Sequence, residues 1–171
     1  MVLRQMISIS ATFALIVGTA GAEQRSATIS GTARVIDGDT ISIRQQRVRI
    51  AGIDTCEMGQ YGILNDKAWP CGLVARSHLR QLVDGKHITC RIVDIDRYKR
   101  SVGQCFIEDT DIGLIMVRTG QAEVMLYYLP RDHGIGVAEY KHAENYARER
   151  LMGIWAADVE SPQKYRRANV Y

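Results

Sequence analysis

The chain has 171 residues, of which 46% are hydrophobic and 24% charged, and its formal net charge is +3 at pH 7. That length holds one domain with a substantial core, and the absence of repeats, low-complexity tracts and long charge runs argues against a second. The positive balance is too mild to demand a polyanionic partner, and it does not oppose one.

Residues 1–22 read as a secretory signal. Arg4 supplies a positive start, Ile7 to Val17 is mostly apolar, and Ala20-Gly-Ala22 is a small-residue cleavage site. The apolar run is too short to span a bilayer with ease, so cleavage is expected, with an uncleaved anchor as the alternative. Nothing later in the chain is long and apolar enough to span a membrane. The expected location is therefore secreted or periplasmic, without stable membrane association after cleavage. The domain is expected over residues 23–157.

Ala27 to Ile36 gives a first strand leading into Asp37-Gly-Asp-Thr40. Thr40–Ile43 and Arg47–Ile50 each alternate apolar and polar, and the polar Arg44-Gln-Gln46 joins them, which predicts a β-hairpin. Met58 to Trp69 reads as an irregular loop. Pro70 suits the first turn of a helix, with Leu73, Val74, Ser77, Leu82 and Val83 as its apolar face and Gly85 as its end. A second hairpin is expected from His87 to Ile107, turning at Asp96-Arg-Tyr-Lys99. Asp111 can cap a short helix through Thr119, with Ile112, Ile115 and Met116 inward and Gly120 as its stop. Positions 137, 140, 143, 147 and 151 have helical spacing, ended by Gly153. Ile154-Trp155 is expected to pack back on the core, and residues 158–171 to form a loose polar tail. Pattern alone supports a small α+β domain.

Four cysteines behind a secretory signal predict disulfides. A hairpin centred between Arg97 and Tyr98 sets Cys90 directly opposite Cys105, within bonding reach. Cys56 and Cys71 then pair by elimination. Each bridge closes a loop of similar length, worth roughly 3 kcal/mol in the chain-entropy model. A zinc site is the rival reading, but no C-x-x-C or neighbouring histidine pair supports it. His78, His87, His133 and His142 have no partner pattern and receive no role, and Lys141 and Arg148 read as solvated charge.

The stretch Val35 to Glu57 holds most of the chemistry. Folding its hairpin brings the outer ends together, with Asp39 on one and Asp54 on the other. Two carboxylates meeting there repel unless a cation sits between them, and a hard divalent ion with oxygen ligands suits that place. Arg49 beside such an ion can pair with phosphate oxygens through its planar fork. Asp-Gly-Asp-Thr by itself is only a turn signal. Its spacing from Arg49, from Asp54-Thr55-x-Glu57 and from Asp96-Arg-Tyr-Lys-Arg100 is far more specific.

In those three motifs the chain resembles the staphylococcal nuclease (thermonuclease) family, over about Thr28 to Trp155. The resemblance implies a five-stranded OB-type β-barrel with about three helices, consistent with five strands and one helix between the third and fourth. It implies calcium as the cofactor, with Asp39 and Asp54 as carboxylate ligands and the Thr55 carbonyl as a third. Glu57 matches the glutamate that activates or orients the attacking water. Arg49 and Arg100 match the arginines that grip the scissile phosphate. Tyr98 matches a tyrosine near the nucleotide, Tyr128 is a candidate for base stacking, and Asp37 is a supporting acid. The implied activity is hydrolysis of DNA and RNA, preferably single-stranded, by a monomer. Two positions depart from the pattern: Cys56 stands where the family has proline, and Lys99 where it has glycine. The rival readings are a nuclease-fold binding protein and an accessory protein of cell-surface polysaccharide production.

Overall fold

Alternation of apolar and polar side chains dictates the first three strands of the computed structural model, which describes residues 27–169. The expected signal and its cleavage site lie outside the described residues, as do positions 170 and 171. Strand β1 (Thr28–Val35) sends Ala33 and Val35 inward. Strands β2 (Thr40–Ile43) and β3 (Gln46–Ile50) do the same with Ile41, Ile43, Val48 and Ile50. Arg44 and Gln45 between them both have positive φ, the backbone of a tight two-residue hairpin turn. After β4 (Ile53–Asp54) come β5 (Gly62–Leu64) and β6 (Lys67–Trp69), then helix α1 (Cys71–Val83). Strands β7 (His87–Ile95), β8 (Ser101–Ile107) and β9 (Thr110–Asp111) follow, then α2 (Ile112–Arg118), β10 (Glu123–Val124), α3 (Val137–Glu149) and α4 (Pro162–Ala168).

Five of these strands close a barrel. β1 pairs antiparallel with β2 and β7, β2 with β3, and β7 with β8, and the parallel pairing of β3 with β8 completes the ring. With α1 inserted between β3 and β7, this is the expected OB-type α+β architecture. Gly103 leaves room for the packed side chains inside the barrel, since a Cβ there would press on those of Ile92, Val48 and Cys90. The barrel is filled by the inward side chains already named together with Ile88, Val102, Leu79 and Val83. Each valine, leucine or isoleucine among them contributes roughly 1.5–3 kcal/mol when buried.

Both disulfides form as expected. Cys90 and Cys105 face each other across β7 and β8 with Cα atoms 4.0 Å apart, and Cys56–Cys71 spans 5.7 Å. Beyond them the hairpin register slips by one at Val93, a bulge that carries the turn to Asp96–Arg100. The second bridge anchors a small apolar cluster with Ile154, against which Trp69, Trp155 and Val159 pack.

Several local expectations change. The buried face of α1 is Cys71, Gly72, Ala75, Leu79 and Val83, whereas Leu73 is exposed, because the bridge at Cys71 sets the helix rotation. The stretch Met58 to Trp69 is not irregular: β5 and β6 form a hairpin about Asn65-Asp66, both at positive φ. Helix α3 buries Tyr140, Ala143 and Ala147 but leaves Val137 exposed at its first turn, and Leu151 lies exposed beyond its end. The expected loose tail is instead ordered through Asn169. Asp158 exchanges backbone hydrogen bonds with Ile63 at 2.9 Å each way, and Ser161 caps α4 ahead of Pro162. Among the described residues no helix is long and apolar enough to cross a membrane.

Gly72 shows how tightly α1 is set against the acidic loop, since a Cβ there would overlap the Glu57 carbonyl. Gly72→Ala is expected to destabilise the protein by about 1–3 kcal/mol through this overlap. Urea denaturation checks it, with an unchanged midpoint as the contrary result.

Candidate active site

The turn between β1 and β2 is built to hold a carboxylate at a fixed height. Ile36 and Asp37 both donate from their backbone N–H groups to the Thr40 carbonyl, and the Asp39 N–H donates to the Asp37 side chain at 3.2 Å. Ile50 N–H donates to the Asp39 carbonyl at 2.8 Å, which locks the turn to the end of β3. Gly38 lets the turn lie directly against Thr55, since a Cβ there would collide with the threonine side chain. Asp54 reaches the same place from β4, which is held by its pairing with β10. The bend that sequence spacing foresaw therefore brings Asp39 and Asp54 together.

Arg49 lies between them. Its Nη2 is 2.6 Å from Asp39 Oδ2 and 2.9 Å from Asp54 Oδ1. Both acids are buried, Asp54 completely. Burial pushes the Asp39 carboxyl up to about 7, Arg49 pulls against that, and Asp37 and Asp54 add to the rise. Burial works against the Arg49 charge, yet Asp39, Tyr128 and Asp54 outweigh it and hold the guanidinium more firmly protonated than usual. Two hard oxygen donors sharing one cationic neighbour fit a divalent ion of the calcium or magnesium type. Among the described residues no group of three or more His, Cys, Asp or Glu side chains gathers as a metal cage. A metal here would thus need water and a backbone carbonyl such as that of Thr55, which is buried beside the two acids.

Glu57, Arg100, Tyr98 and Tyr128 line the same cleft of about 670 Å³ as Asp39 and Arg49. Asp96 organises the hairpin tip, accepting from the backbone N–H groups of Tyr98 and Arg100 at 2.9 Å each and from Arg100 Nε at 2.7 Å. With Nε engaged, the two terminal nitrogens of Arg100 remain for an anion. Lys99 adopts the φ of +62° that glycine would accept without strain. Tyr98 is exposed, and its ring underlies the guanidinium groups of Arg97 and Arg100 at 4.8 and 5.5 Å. Tyr128 is exposed beside Arg49; desolvation of its hydroxyl raises its pKa and Arg49 opposes the rise. The exposed Tyr127 stands edge-on to it at 5.7 Å.

Two residues in this region carried no role in the sequence reading. Gln60 is buried and folds the loop beneath Glu57: its Oε1 accepts from the Glu57 N–H at 3.0 Å and its Nε2 donates to the Glu160 carbonyl at 2.6 Å. Arg166, on α4, meets both oxygens of Asp54 at 2.8 Å and Glu57 Oε1 at 2.8 Å. Its hydrogen bonds to Asp54, reduced by burial and reinforced by Glu57, strengthen its protonation. Ser161-Pro162 is a helix-start signal that could have located α4, but nothing in the sequence tied Arg166 to residues more than a hundred positions earlier.

Buried oxygen donors, a water-accessible glutamate and arginines in one cleft can bind a metal ion, hold a phosphodiester and move a proton. Comparison with known proteins agrees with this chemistry. Residues 47–157 match the family model described as staphylococcal nuclease homologue. The chain is 28% identical over 143 residues to a probable endonuclease lcl3 of Botryotinia fuckeliana, covering 80% of this chain and 53% of that protein. It is 33% identical over 135 residues to the succinoglycan biosynthesis protein ExoI of Rhizobium meliloti, covering 77% and 67%. It is 27% identical over 130 residues to the staphylococcal-like nuclease CAN1 of Arabidopsis thaliana, covering 75% and 36%. The chain thus spans about half the length of several curated relatives that it matches. On the family model and on this barrel with its acidic cleft, the chain belongs to the staphylococcal nuclease family.

Proposed function

We propose that this chain is an exported, calcium-dependent phosphodiesterase that hydrolyses DNA and RNA with little sequence preference and leaves 3′-phosphate ends. The observation that carries this reading is the convergence of Asp39, Asp54 and Arg49 within 3 Å contacts, in a cleft that Glu57 and Arg100 also line. Asp39, Asp54 and the Thr55 carbonyl would hold the calcium, which supplies charge neutralisation at the phosphate and orientation of water.

Each remaining role follows from side-chain chemistry. Glu57 lines the cleft with Oε1 held by Arg166, and its other carboxylate oxygen accepts a proton from water as it attacks phosphorus. Arg49 and Arg100 present terminal nitrogens to the non-bridging oxygens, where negative charge grows as the fifth bond forms. Attack in line with the 5′-oxygen breaks the P–O5′ bond, the departing O5′ takes a proton from solvent to become a hydroxyl, and the phosphate stays on the 3′ side. Tyr98 and Tyr128 offer ring faces to unstacked bases, which favours single strands and needs no sequence readout. A single chain contains all these groups, so a monomer suffices.

The likeness to ExoI supports a second reading, an accessory role in cell-surface polysaccharide production. The two diverge at Glu57 and the arginines. For the nuclease, Glu57→Gln and Arg100→Ala lower kcat by about 10²–10³-fold while a DNA oligonucleotide still binds. Arg49→Lys keeps a positive charge between the acids but loses the planar fork, and a comparable drop is expected. Unchanged turnover in Glu57→Gln overturns its role. Binding of the oligonucleotide without turnover in the unaltered protein favours a nuclease-fold binding protein over the enzyme.

The Asp39 shift gives a pH dependence with a definite sign. Its carboxyl is raised from 3.8 to about 7, so between those values the folded chain holds a proton that the unfolded chain releases. Without metal this group's contribution to stability is therefore greatest below about pH 4 and falls as pH rises toward 7. Calcium takes the proton's place. Its stabilising increment in thermal melts is expected to be larger at pH 7.5 than at pH 5, and an increment independent of pH contradicts the assignment of Asp39.

A further inference from the structure

Arg166 meets the acidic pair at Asp54. Asp54 is wholly buried, and its two oxygens accept two hydrogen bonds from the Arg166 fork while Oδ1 also accepts from Arg49. Arg166 reaches onward to Glu57 Oε1. One guanidinium thus touches both a proposed metal ligand and the proposed proton acceptor. A divalent ion on Asp54 would have to share those lone pairs with this cation and stand beside its charge, which costs binding energy in a poorly solvated place.

The segment that presents Arg166 is tethered more lightly than the barrel. Helix α4 has seven residues, too few to persist alone, and Pro162 is its one buried residue. Its ties are specific hydrogen bonds: Gln60 to the Glu160 carbonyl, the Tyr165 hydroxyl to the Gly59 carbonyl, and Gln163 to the Tyr127 hydroxyl. Gln163 and Tyr127 both line the cleft, so the same helix that inserts the arginine also narrows the approach to it. An element with few buried apolar contacts and a few polar latches sits at the low end of local stability.

We propose that α4 is an autoinhibitory strap and that Arg166 is its internal counter-ion, competing with the divalent metal for Asp54 and masking Glu57 until the strap is displaced. The inference rests on the reading of Asp39 and Asp54 as metal ligands. It makes metal binding and strap release two faces of one equilibrium: calcium favours the released strap, and weakening the strap favours calcium.

Isothermal titration of the full chain with calcium chloride, at fixed pH and ionic strength, tests this directly. Arg166→Gln removes the competing charge, and calcium is expected to bind about tenfold more tightly than in the unaltered chain. The double variant Gln163→Ala/Tyr165→Phe keeps Arg166 but cuts two latches, and a smaller tightening in the same direction is expected. Circular dichroism establishes that each protein is folded; should Arg166→Gln fail to fold, the double variant alone decides. Calcium binding of equal or lower affinity in the folded variants overturns the strap while leaving the metal site standing. Calcium binding by none of the folded proteins overturns the metal site, and the strap with it.

Discussion

Arg49 stands between two buried carboxylates, and most of the fold can be understood as what holds that ion triad in register. Removing the arginine would leave the buried Asp39 carboxylate without its cationic partner and Asp54 with Arg166 alone, a cost of several kcal/mol in comparable buried arrangements. The parallel pairing of β3 with β8 fixes Arg49 opposite Val102, and the hydrogen bond from Ile50 to the Asp39 carbonyl fixes the turn beside it. β10 pins Asp54 from the other side. Closing the barrel and assembling the charges are therefore one event. An electrostatic cluster assembled this way is preorganised by the fold.

The two departures from the family pattern fit that scheme. Cys56 lies between Thr55 and Glu57, where proline would stiffen the backbone. Its bridge to Cys71 ties the same loop to the start of α1, and Gly72 then seats the helix against Glu57. Lys99 takes the left-handed conformation that glycine would take without strain, and Asp96 compensates with hydrogen bonds to the backbone on both sides of it. At both positions other contacts hold the backbone: the Cys56–Cys71 bridge at the first and the Asp96 hydrogen bonds at the second.

How much of this was legible in the sequence depended on the range of the interaction. The β2–β3 hairpin and the Cys90–Cys105 pairing are local, set by period-two alternation and turn position, and they were readable. The meeting of Asp39 with Asp54 followed from folding that hairpin. The one-residue slip at Val93 was not readable, because a bulge is a response to barrel curvature rather than to local composition. The β5–β6 hairpin was masked by its short strands, although Asn65-Asp66 marked its turn. Arg166 was the largest omission. Its partners lie across the fold, and a polar segment with isolated apolar positions reads as solvated whenever its function is to supply charge rather than to fill a core. Buried Gln60 escaped for the same reason: its value lies in joining the loop at Glu57 to the backbone at Glu160.

The proposed phosphodiesterase activity of this acidic cleft depends on a bound metal ion. Incubation of the protein lacking residues 1–22 with single-stranded DNA, first with calcium, then with excess chelator, then with calcium restored, addresses it most directly. Cleavage to 3′-phosphate ends is expected with calcium, none with chelator, and recovery when calcium returns. Undiminished cleavage in excess chelator, or intact DNA in every condition, would contradict the proposed metal-dependent activity.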